Sequence, residues 1–402
     1  MRVLHVNKFL YRRGGAEAYL LDVAAMQRAA GDEVALFGMT HPDNDPGLPY
    51  ARDFPSFVEL EPPPPGAAAR LAAASRMIWS RSARAGLDRV LAAFRPDVVH
   101  LHNVYHQLSP SVVAAVRAAG VPCVMTLHDY KLACPSYQML DHGRPCDACL
   151  TGGVWQAARR SCKDGSRAAS TLLSAESWLH RRLSAYRGVG VFLAPSRFLA
   201  HVMERAGVYP DRLRVLRHPA RLPAAKTRAG GGVVFAGRLA PEKGVDVLLR
   251  AAADLPAGVP VDIAGDGPAR PELERLAAGR ARFHGRLDRD RLHALVRDAA
   301  VAAVPSRWYE NQPLAVLEAF GCGVPVVGTD LGGLPELIEP GVDGEIVPAE
   351  DPAALVAALH RLTADPDRAL RMGRAGRAKV GRDFDPGVHL DGLRAAYAAA
   401  AR

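Results

Sequence analysis

Short apolar runs alternate with longer amphipathic stretches along the chain. In the first half, the predicted strands are RVLHV, EVALFG, DVVHLHN, PCVMTLHD and VFLAPS. Between them, AEAYLLDVAAMQRAAG, SPSVVAAVRAAG and SRFLAHVMERAG have helical periodicity, and each ends at a glycine, which favours a helix C-terminus. This alternation predicts a parallel sheet with helices on both faces. EPPPPG at 61–66 predicts a stiff linker before one long Ala/Arg-rich helix.

The same pattern begins again after the Pro-, Gly- and Lys-containing stretch LRVLRHPARLPAAKTRAGG. The second series of predicted strands is VVFAG, VDIAGDG, ARFHG, VAAVPS and PVVGTD. Two consecutive α/β units predict two doubly wound, Rossmann-like domains facing a cleft, with ligands bound beyond the carboxyl ends of the strands. The predicted divisions are an N-terminal domain over 1–218, a hinge over 219–230, a C-terminal domain over 231–382 and a helix over 383–402 that closes back on the N-terminal domain.

Composition narrows the class of protein. A chain of 402 residues with 49% hydrophobic and 23% charged residues is typical of a soluble globular protein of two or three domains. No apolar run approaches the ~18 residues of a membrane-spanning helix. MRVLHVNKFLYRRGG lacks a small-residue cleavage site and predicts a first strand rather than a signal peptide, so we expect a reducing, cytoplasmic location.

The chain is basic, with a net charge of +9 and an isoelectric point near 9.4. This balance favours phosphate-bearing partners, and a general enrichment in arginine explains it equally well. Aromatic residues are only 6% of the chain and do not interleave with basic ones, which argues against nucleic acid as a partner.

Phosphate-binding candidates follow the predicted strands. In VVFAGRLAPEKG, Arg238 and Lys243 precede a helix whose free N-terminal amides and adjacent cations suit a diphosphate. The alternative is a solvated loop with a Glu242–Lys243 pair. Gly14–Gly15 and Gly265 suit close approach of backbone to a phosphate or sugar, and simple turns are the alternative for both.

Two glutamates lie eight positions apart in SRWYENQPLAVLEAFGCGVPVVGTDLGGLPELI. The paired carboxyl groups of glycosidases are about 5 to 9.5 Å apart, whereas eight helical residues span about 12 Å. Pro313 is predicted to open the helix, which leaves Glu310 in the preceding loop and Glu318 near mid-helix. The two carboxylates therefore suit separate parts of one ligand. Apolar neighbours predict that Glu318 is partly buried and needs a partner.

These segments together resemble the retaining glycosyltransferases of the GT-B fold, in the family 4 group that builds polysaccharides and glycolipids. The similarity extends from RRGGAE, VVHLHN and TLHDY to GRLAPEKGVDVLLRA and the segment with the two glutamates. It implies metal-independent transfer from a nucleotide diphosphate-sugar to the hydroxyl of a sugar, lipid-linked or small-molecule acceptor. The N-terminal domain would be the acceptor side and the C-terminal domain would bind the donor.

The resemblance also implies roles for individual residues in catalysis. His128 would lie beside the transferred sugar, and Glu310 would contact the sugar hydroxyls. Arg238 and Lys243 would neutralise the departing diphosphate, while Glu318 would contact the nucleotide ribose. Because a leaving diphosphate needs charge neutralisation more than an acid, preorganised cations fit this chemistry.

Further donor contacts are implied for three pairs of neighbouring residues. Gly14–Gly15 would form a loop over the diphosphate, the amides at Asn311 and Gln312 would lie near sugar oxygens, and Arg286 and Leu287 would frame the base. The resemblance also implies that Gly265 is one of the donor-binding residues.

A cysteine-rich insert over 131–165 follows His128. Cys134, Cys146, Cys149 and Cys162 have the spacing C-x11-C-x2-C-x12-C, which favours a structural zinc site in a reducing compartment. Unligated thiols, an iron–sulfur cluster and disulfides are the alternatives. Cys123 and Cys322 lie in apolar runs and are predicted to be buried thiols.

A basic segment follows this insert. It contains Arg159, Arg160, Lys163, Arg167, Arg181, Arg182 and Arg187. A solvated face is one interpretation, and peripheral contact with an anionic membrane or a lipid-diphosphate acceptor is the other. Two alternatives to the transferase remain: a nucleotide-sugar epimerase of the same fold, and a non-catalytic, zinc-stabilised assembly partner.

Overall fold

The computed structural model describes residues 1–60, 64–220 and 222–402. The strands of the first half are β1 (Arg2–Val6), β2 (Glu33–Phe37), β3 (Val98–Leu101), β4 (Cys123–Thr126), β5 (Leu140–Asp141), β6 (Arg144–Pro145), β7 (Val191–Ala194) and β8 (Leu213–Val215). Its helices are α1 (Gly15–Ala29), α2 (Ala67–Ile78), α3 (Arg81–Phe94), α4 (Ser111–Ala118), α5 (Ala148–Gly152), α6 (Trp155–Arg160), α7 (Arg167–Arg182) and α8 (Arg197–Arg205). Six strands pair in parallel in the order β2-β1-β3-β4-β7-β8, while β5 and β6 form a separate antiparallel hairpin.

The second half contains another six-stranded parallel sheet. Its strands are β9 (Val233–Ala236), β10 (Val261–Ala264), β11 (Arg282–Gly285), β12 (Val301–Val304), β13 (Val326–Thr329) and β14 (Gly344–Val347). Its helices are α9 (Val245–Ala253), α10 (Arg270–Ala277), α11 (Arg289–Asp298), α12 (Leu314–Gly321), α13 (Leu334–Leu337), α14 (Pro352–Ala364), α15 (Pro366–Asp383) and α16 (Pro386–Ala400). The strand order β11-β10-β9-β12-β13-β14 is that of a doubly wound nucleotide-binding sheet.

In each sheet, successive strands of the chain are first added on one side of the starting strand and later on the other side. In the first sheet this happens between β1 and β3, and in the second between β9 and β12. Connections leave these neighbouring strands toward opposite faces, so a crevice opens at their carboxyl ends. The loops after β1, β3, β9 and β12 therefore flank the two crevices, and the loop after β4 lies next to the one after β3.

The predicted α/β class and the ten predicted strands agree with this architecture. The three predicted helices of the first half are followed by Gly31, Gly120 and Gly207, whose φ angles of 87°, 67° and 67° suit glycine. One prediction is wrong: the single Ala/Arg-rich helix is two helices, α2 and α3. Between them, the Ser80 hydroxyl accepts a hydrogen bond from the Ala83 N–H at 3.3 Å and begins a new helix.

Two strands of the large sheets are not predicted by the sequence pattern. β8 exposes two of its three residues, and β14 begins with glycine and glutamate, so neither resembles an apolar run. The linker predicted at 61–66 lies in part outside the described residues, since residues 61–63 are not described.

The C-terminal helix α16 packs against α1, β4 and β7, as predicted. Its residues Leu393, Ala396 and Tyr397 are part of the buried core of the first sheet. The second sheet has two apolar clusters of its own. Among the described helices, none has both the length and the apolar character needed to cross a bilayer.

Candidate active site

Two glycine-containing turns bring separate loops together around Glu310. Gly244, at the start of α9, has a φ of 65°, and a Cβ there would collide with the Pro305 carbonyl oxygen after β12. Gly332 and Gly333 approach the backbone of Glu310 and Asn311 so closely that neither position has room for a Cβ. The Gly333 N–H donates to the Glu310 carbonyl oxygen at 2.6 Å. These glycines therefore set the position of the glutamate loop.

Glu310 is buried and ionised. Lys243 Nζ lies 2.7 Å from Glu310 Oε1, and the Ser306 hydroxyl donates to the same oxygen at 2.7 Å. Burial by itself would raise the pKa of Glu310, but the Lys243 charge and these hydrogen bonds outweigh it and hold the pKa below its ordinary value. The Lys243 ammonium group also lies 4.9 Å from the centre of the Trp308 ring.

Arg238 is the exposed cation of this group. Its side chain is 61% exposed and pairs with Glu242 at 2.8 Å. A simple solvated loop would pair Glu242 with Lys243. The structure has two different ion pairs in its place. Arg238 is held by Glu242 at the surface, and Lys243 by Glu310 in the interior.

The side chains of Asn311 and Gln312 connect the two halves of the chain. Asn311 Nδ2 donates to the His128 carbonyl oxygen at 2.9 Å. Gln312 accepts from the His218 N–H at 2.8 Å and donates to the His218 carbonyl oxygen at 3.0 Å. Within the described ranges, the backbone N–H groups of both residues have no hydrogen-bond acceptor. These backbone amides and the buried Asn311 Oδ1 are thus left without a partner among the described residues.

Pro313 precedes α12, and Glu318 lies in the middle of that helix, as predicted. Glu318 is half-buried beside a cavity of about 110 Å³, which Asp22 on α1 and Arg289 on α11 also line. Burial raises the pKa of Glu318, and the nearby Arg289 partly offsets this. Asp22 pairs with Arg12 at 2.6 Å and with Arg289 at 3.1 Å, so this cavity lies at the contact between the two halves.

The predicted donor-binding glycines have different surroundings. Gly14 and Gly15 begin α1, and a Cβ at Gly15 would lie 3.9 Å from Leu314 Cδ1, so this turn faces α12. Gly265 has a φ of 135°, and a Cβ there would collide with the Gly237 carbonyl oxygen. Backbone packing alone requires glycine at this position.

Arg286 and Leu287 lie apart from the glutamate loop. They follow β11, the edge strand, which β10 and β9 separate from β12. Arg286 is exposed and Leu287 is half-buried. The structure does not bring this pair to Glu310.

His128 follows β4 and is the first of several stacked histidines that the sequence analysis did not connect. Its Nε2 atom lies 3.1 Å from His102 Nδ1, and its ring packs near Tyr19 and His218. Burial lowers the pKa of His128 to about 3, so the ring is neutral. The one signal in the sequence was histidine inside apolar strands, as in RVLHV and VVHLHN.

The four cysteines of the insert lie around the β5–β6 hairpin and the two short helices after it. Cys134 and Cys149 are buried, and Cys146 and Cys162 are half-buried. A hydrogen bond from Cys149 lowers the pKa of Cys134 to about 6 and raises that of Cys149, while burial raises the pKa of Cys162 to about 12.

The four thiols are a donor set that suits zinc. Over the described residues, however, His5, His100 and His102 form the one set of three ligand atoms that all lie within 4.8 Å of one another. The four sulfurs would have to move closer together to coordinate an ion. Cys123 and Cys322 are buried, as predicted.

Comparisons with known proteins extend this picture. The family described as "Glycosyl transferase 4-like domain" matches residues 14–218, and "Glycosyl transferases group 1" matches residues 230–365. A D-inositol 3-phosphate glycosyltransferase of Salinispora tropica is 30% identical over 402 residues, covering 92% of this chain and 78% of the relative. A glycogen synthase of Mycobacterium tuberculosis is 29% identical over 319 residues, covering 76% of this chain and 68% of the relative.

Solved structures show the same fold at lower identity. Sucrose-phosphate synthase from Thermosynechococcus elongatus has a TM-score of 0.70 at 19% identity and covers 98% of both chains. An Anabaena protein solved in complex with UDP and glucose has a TM-score of 0.67 at 18% identity, covering 99% of this chain and all of that one. The predicted GT-B architecture of two Rossmann-like domains is confirmed.

Proposed function

The chain belongs to the group 1, GT4-like glycosyl transferases, and from this membership we propose that it transfers a sugar, with retention, from a nucleotide diphosphate-sugar to a hydroxyl acceptor. The observation that carries the proposal is the ion pair of half-buried Lys243 with buried Glu310, beside the exposed Arg238, at the carboxyl ends of β9 and β12. Cations and a fixed carboxylate at one crevice suit a ligand that joins a diphosphate to a polyhydroxylated sugar.

The proposed chemistry follows from the charges of this group. Ionised Glu310 accepts hydrogen bonds from sugar hydroxyls, while Arg238 and Lys243 stabilise the negative charge that develops on the leaving diphosphate. The bond from the anomeric carbon to the phosphate oxygen breaks as the acceptor oxygen bonds to the same face. The acceptor's proton moves to the departing phosphate oxygen, so a carboxylate nucleophile is not needed.

The experiment that tests this function is a donor screen with the full chain. Thermal shift and mass-spectrometric hydrolysis would be measured with UDP-, GDP-, ADP- and dTDP-sugars. UDP-glucose is the first donor to try, because the similar Anabaena protein was solved with UDP and glucose. We expect one donor both to stabilise the protein and to be hydrolysed slowly. No response to any donor, with or without candidate acceptors, would contradict the proposal and favour the assembly-partner alternative.

We also propose that Cys134, Cys146, Cys149 and Cys162 bind a structural zinc ion. Four thiolates around a hairpin and two short helices would fix the insert that follows His128, and the ion would supply no group to the reaction. Elemental analysis of protein purified without chelators should give one zinc per chain. Cys149→Ser should lose the zinc and lower the Tm, whereas Cys322→Ser should keep it. Metal-free protein with an unchanged Tm would contradict this site.

A peripheral, inner-face membrane location is the remaining proposal. Three of the four tryptophans, Trp79, Trp155 and Trp178, are 40%, 41% and 49% exposed. They lie at the end of α2, on α6 and on α7. Helix α7 contacts both α2 and α6, and basic residues of the predicted segment lie on α6 and α7. Exposed tryptophan beside arginine suits the surface of an anionic bilayer.

Vesicle sedimentation tests this surface. We expect binding to vesicles with phosphatidylglycerol and weak binding to phosphatidylcholine alone. Trp178→Ala with Arg182→Ala should reduce the binding. Equal recovery of both proteins from the two vesicle types would contradict membrane contact.

A further inference from the structure

We propose that Gln27, on α1, is a positioning residue that sets the tautomer of His128 through two intervening histidines. The inference rests on the proposed function only for its effect on transfer. The tautomer itself is a property of the free protein and can be measured without any donor.

An unbroken line of hydrogen bonds joins the two residues. His128 Nε2 lies 3.1 Å from His102 Nδ1, and His102 Nε2 lies 3.0 Å from His5 Nδ1. His5 Nε2 lies 2.6 Å from Gln27 Oε1. His5 and His102 are fully buried, so water does not replace any of these partners.

All three rings are neutral. Burial lowers the pKa of His5 to about 4 and that of His128 to about 3, and it lowers that of His102 well below 6.5. A neutral imidazole has one N–H donor and one nitrogen acceptor. Each ring that donates at one nitrogen must therefore accept at the other. The three tautomers change together or not at all.

The direction of the line is set at the Gln27 end. Gln27 Nε2 donates to the Tyr397 hydroxyl at 3.0 Å, which leaves Gln27 Oε1 facing His5 as an acceptor. The Tyr397 hydroxyl also lies 2.9 Å from His100 Nδ1, and His100 Nε2 lies 2.7 Å from the Thr126 hydroxyl. Tyr397 comes from α16, so the C-terminal helix orients an amide in the first domain.

The tautomer of His128 follows from this direction. His5 donates from Nε2 to Gln27, His102 donates from Nε2 to His5, and His128 donates from Nε2 to His102. His128 Nδ1 is then unprotonated, and it has no hydrogen-bond partner among the residues that the structure describes. An amide turned the other way would reverse every bond and leave a proton on Nδ1. The orientation of the Gln27 amide therefore determines the tautomer of His128.

This arrangement determines what His128 offers to a ligand. With Nδ1 unprotonated, the ring accepts a hydrogen bond from a hydroxyl in the cleft and does not donate one. Its backbone is held at the same time, because Asn311 Nδ2 donates to the His128 carbonyl oxygen at 2.9 Å. His128 is in this way a preorganised acceptor for a hydroxyl of the transferred sugar.

Nitrogen-15 NMR of histidine-labelled protein reads the tautomer directly, and His128→Gln assigns the signals. In the wild type we expect protonated Nε2 and unprotonated Nδ1. Gln27→Met removes the acceptor at similar size, so His128 should become a mixture of tautomers, and kcat should fall roughly 10- to 100-fold with a smaller change in donor KM. Gln27→Glu restores an oxygen facing His5 and should restore the wild-type tautomer and most of the activity.

Two further variants keep the test decisive. Gln107→Met removes another buried glutamine outside this line and should leave the His128 signals unchanged. If Gln27→Met does not fold, Tyr397→Phe carries the same test, because the amide then loses the hydroxyl that orients it.

Three results would overturn the proposal: a proton on His128 Nδ1 in the wild type, a His128 tautomer unaffected by Gln27→Met and Tyr397→Phe, or a stoichiometric metal bound by His5, His100 and His102. A coordinated nitrogen cannot carry the proton that the line requires. If the tautomer responds as expected but no donor is turned over by the wild type, the proposed function fails and this inference stands.

Discussion

The ammonium group of Lys243 lies 2.7 Å from a carboxylate oxygen of Glu310, although 67 residues separate them in the chain. The resemblance implies different partners for the two, a diphosphate for the lysine and sugar hydroxyls for the glutamate. Their contact means that both parts of one donor would meet at a single ion pair. Removing either charge should therefore affect both binding and the stability of the site.

Glu310→Gln should reduce transfer by about 10²–10³-fold, because the fixed negative charge that faces the sugar and holds Lys243 is lost. The free energy of unfolding should also fall, by about 1–3 kcal/mol, since a largely buried ammonium group loses its partner. Initial rates with the donor found by screening, and urea denaturation, measure the two effects. Glu274→Gln, in an exposed pair on α10, should change neither. Near-normal turnover of Glu310→Gln would contradict the assigned role.

Arg238→Ala should abolish most transfer while leaving the fold unchanged. Its side chain is 61% exposed, and exposed ion pairs contribute little to stability. A matched control is Arg250→Ala, whose side chain is 56% exposed and also pairs with a carboxylate four residues away. Both variants should keep the wild-type Tm, and only Arg238→Ala should lose kcat/KM. Equal loss in both would show that the effect does not come from the diphosphate position.

Acid should destabilise the protein well above the pKa range of its carboxyl groups. Burial lowers the folded-state pKa of nine histidines below the ordinary value of 6.5: His5, His100, His102, His106, His128, His180, His218, His293 and His389. Between pH 6.5 and about pH 4, the unfolded chain binds more protons than the folded one. The free energy of unfolding therefore has its full value above pH 6.5 and decreases as the pH is lowered through this range.

Denaturant unfolding from pH 7.5 to 5 measures this effect. Each proton taken up on unfolding contributes about 1.4 kcal/mol per pH unit to the free energy of unfolding. Several buried histidines should therefore give a dependence on pH that is well above the value for a single histidine. His128→Gln should reduce this slope by no more than the contribution of one proton. A free energy of unfolding that stays constant between pH 6.5 and 5 would contradict neutral, buried rings.

Alternating apolar and amphipathic segments were sufficient to predict both sheets, because buried parallel strands must be apolar on both faces. The same rule fails for the largely exposed β8 and for β14, which buries a charged residue. β8 at the sheet edge and the polar start of β14 carry no such signal. The break between α2 and α3 depends on one capping hydrogen bond at Ser80, which the alanine-rich helical pattern conceals.

The candidate site was predictable only where spacing carried the information. The loop position of Glu310 and the mid-helix position of Glu318 follow from Pro313. The row of histidines does not, because His5 and His100 become neighbours only through the register of β1 with β3. The hydrogen bonds from Asn311 and Gln312 to the first half also depend on how the two sheets face each other, which no local pattern encodes.

Gly265→Ala should lower the free energy of unfolding by roughly 2–4 kcal/mol. An added Cβ would collide with the Gly237 carbonyl oxygen, and a φ of 135° is unfavourable for alanine. Gly258→Ala is the matched control, because a Cβ there has no atom within 4 Å. Chemical denaturation compares the two. A stable Gly265→Ala that loses donor binding would instead assign this glycine to the ligand.

Glu336 on α13 contacts the N-terminus of α8 in the other half of the chain. Its two carboxylate oxygens accept from the Arg197 N–H at 2.9 Å and the Phe198 N–H at 2.6 Å. These amides have no partner within their own helix, and the positive end of the helix dipole favours an anion. One side chain of the second half therefore supplies part of the cap of a helix in the first.

Removing this cap should loosen the contact between the two halves. Glu336→Ala should lower the free energy of unfolding by about 1–2 kcal/mol and speed hydrogen exchange of the Arg197 and Phe198 amides, because they become unpaired when the carboxylate is lost. Glu336→Gln keeps one acceptor oxygen without the charge, so its effect should be smaller and less dependent on salt. Glu339→Ala, an exposed residue beyond the same helix, should leave exchange unchanged. Wild-type exchange at Phe198 in Glu336→Ala would show that this carboxylate does not hold the halves together in solution.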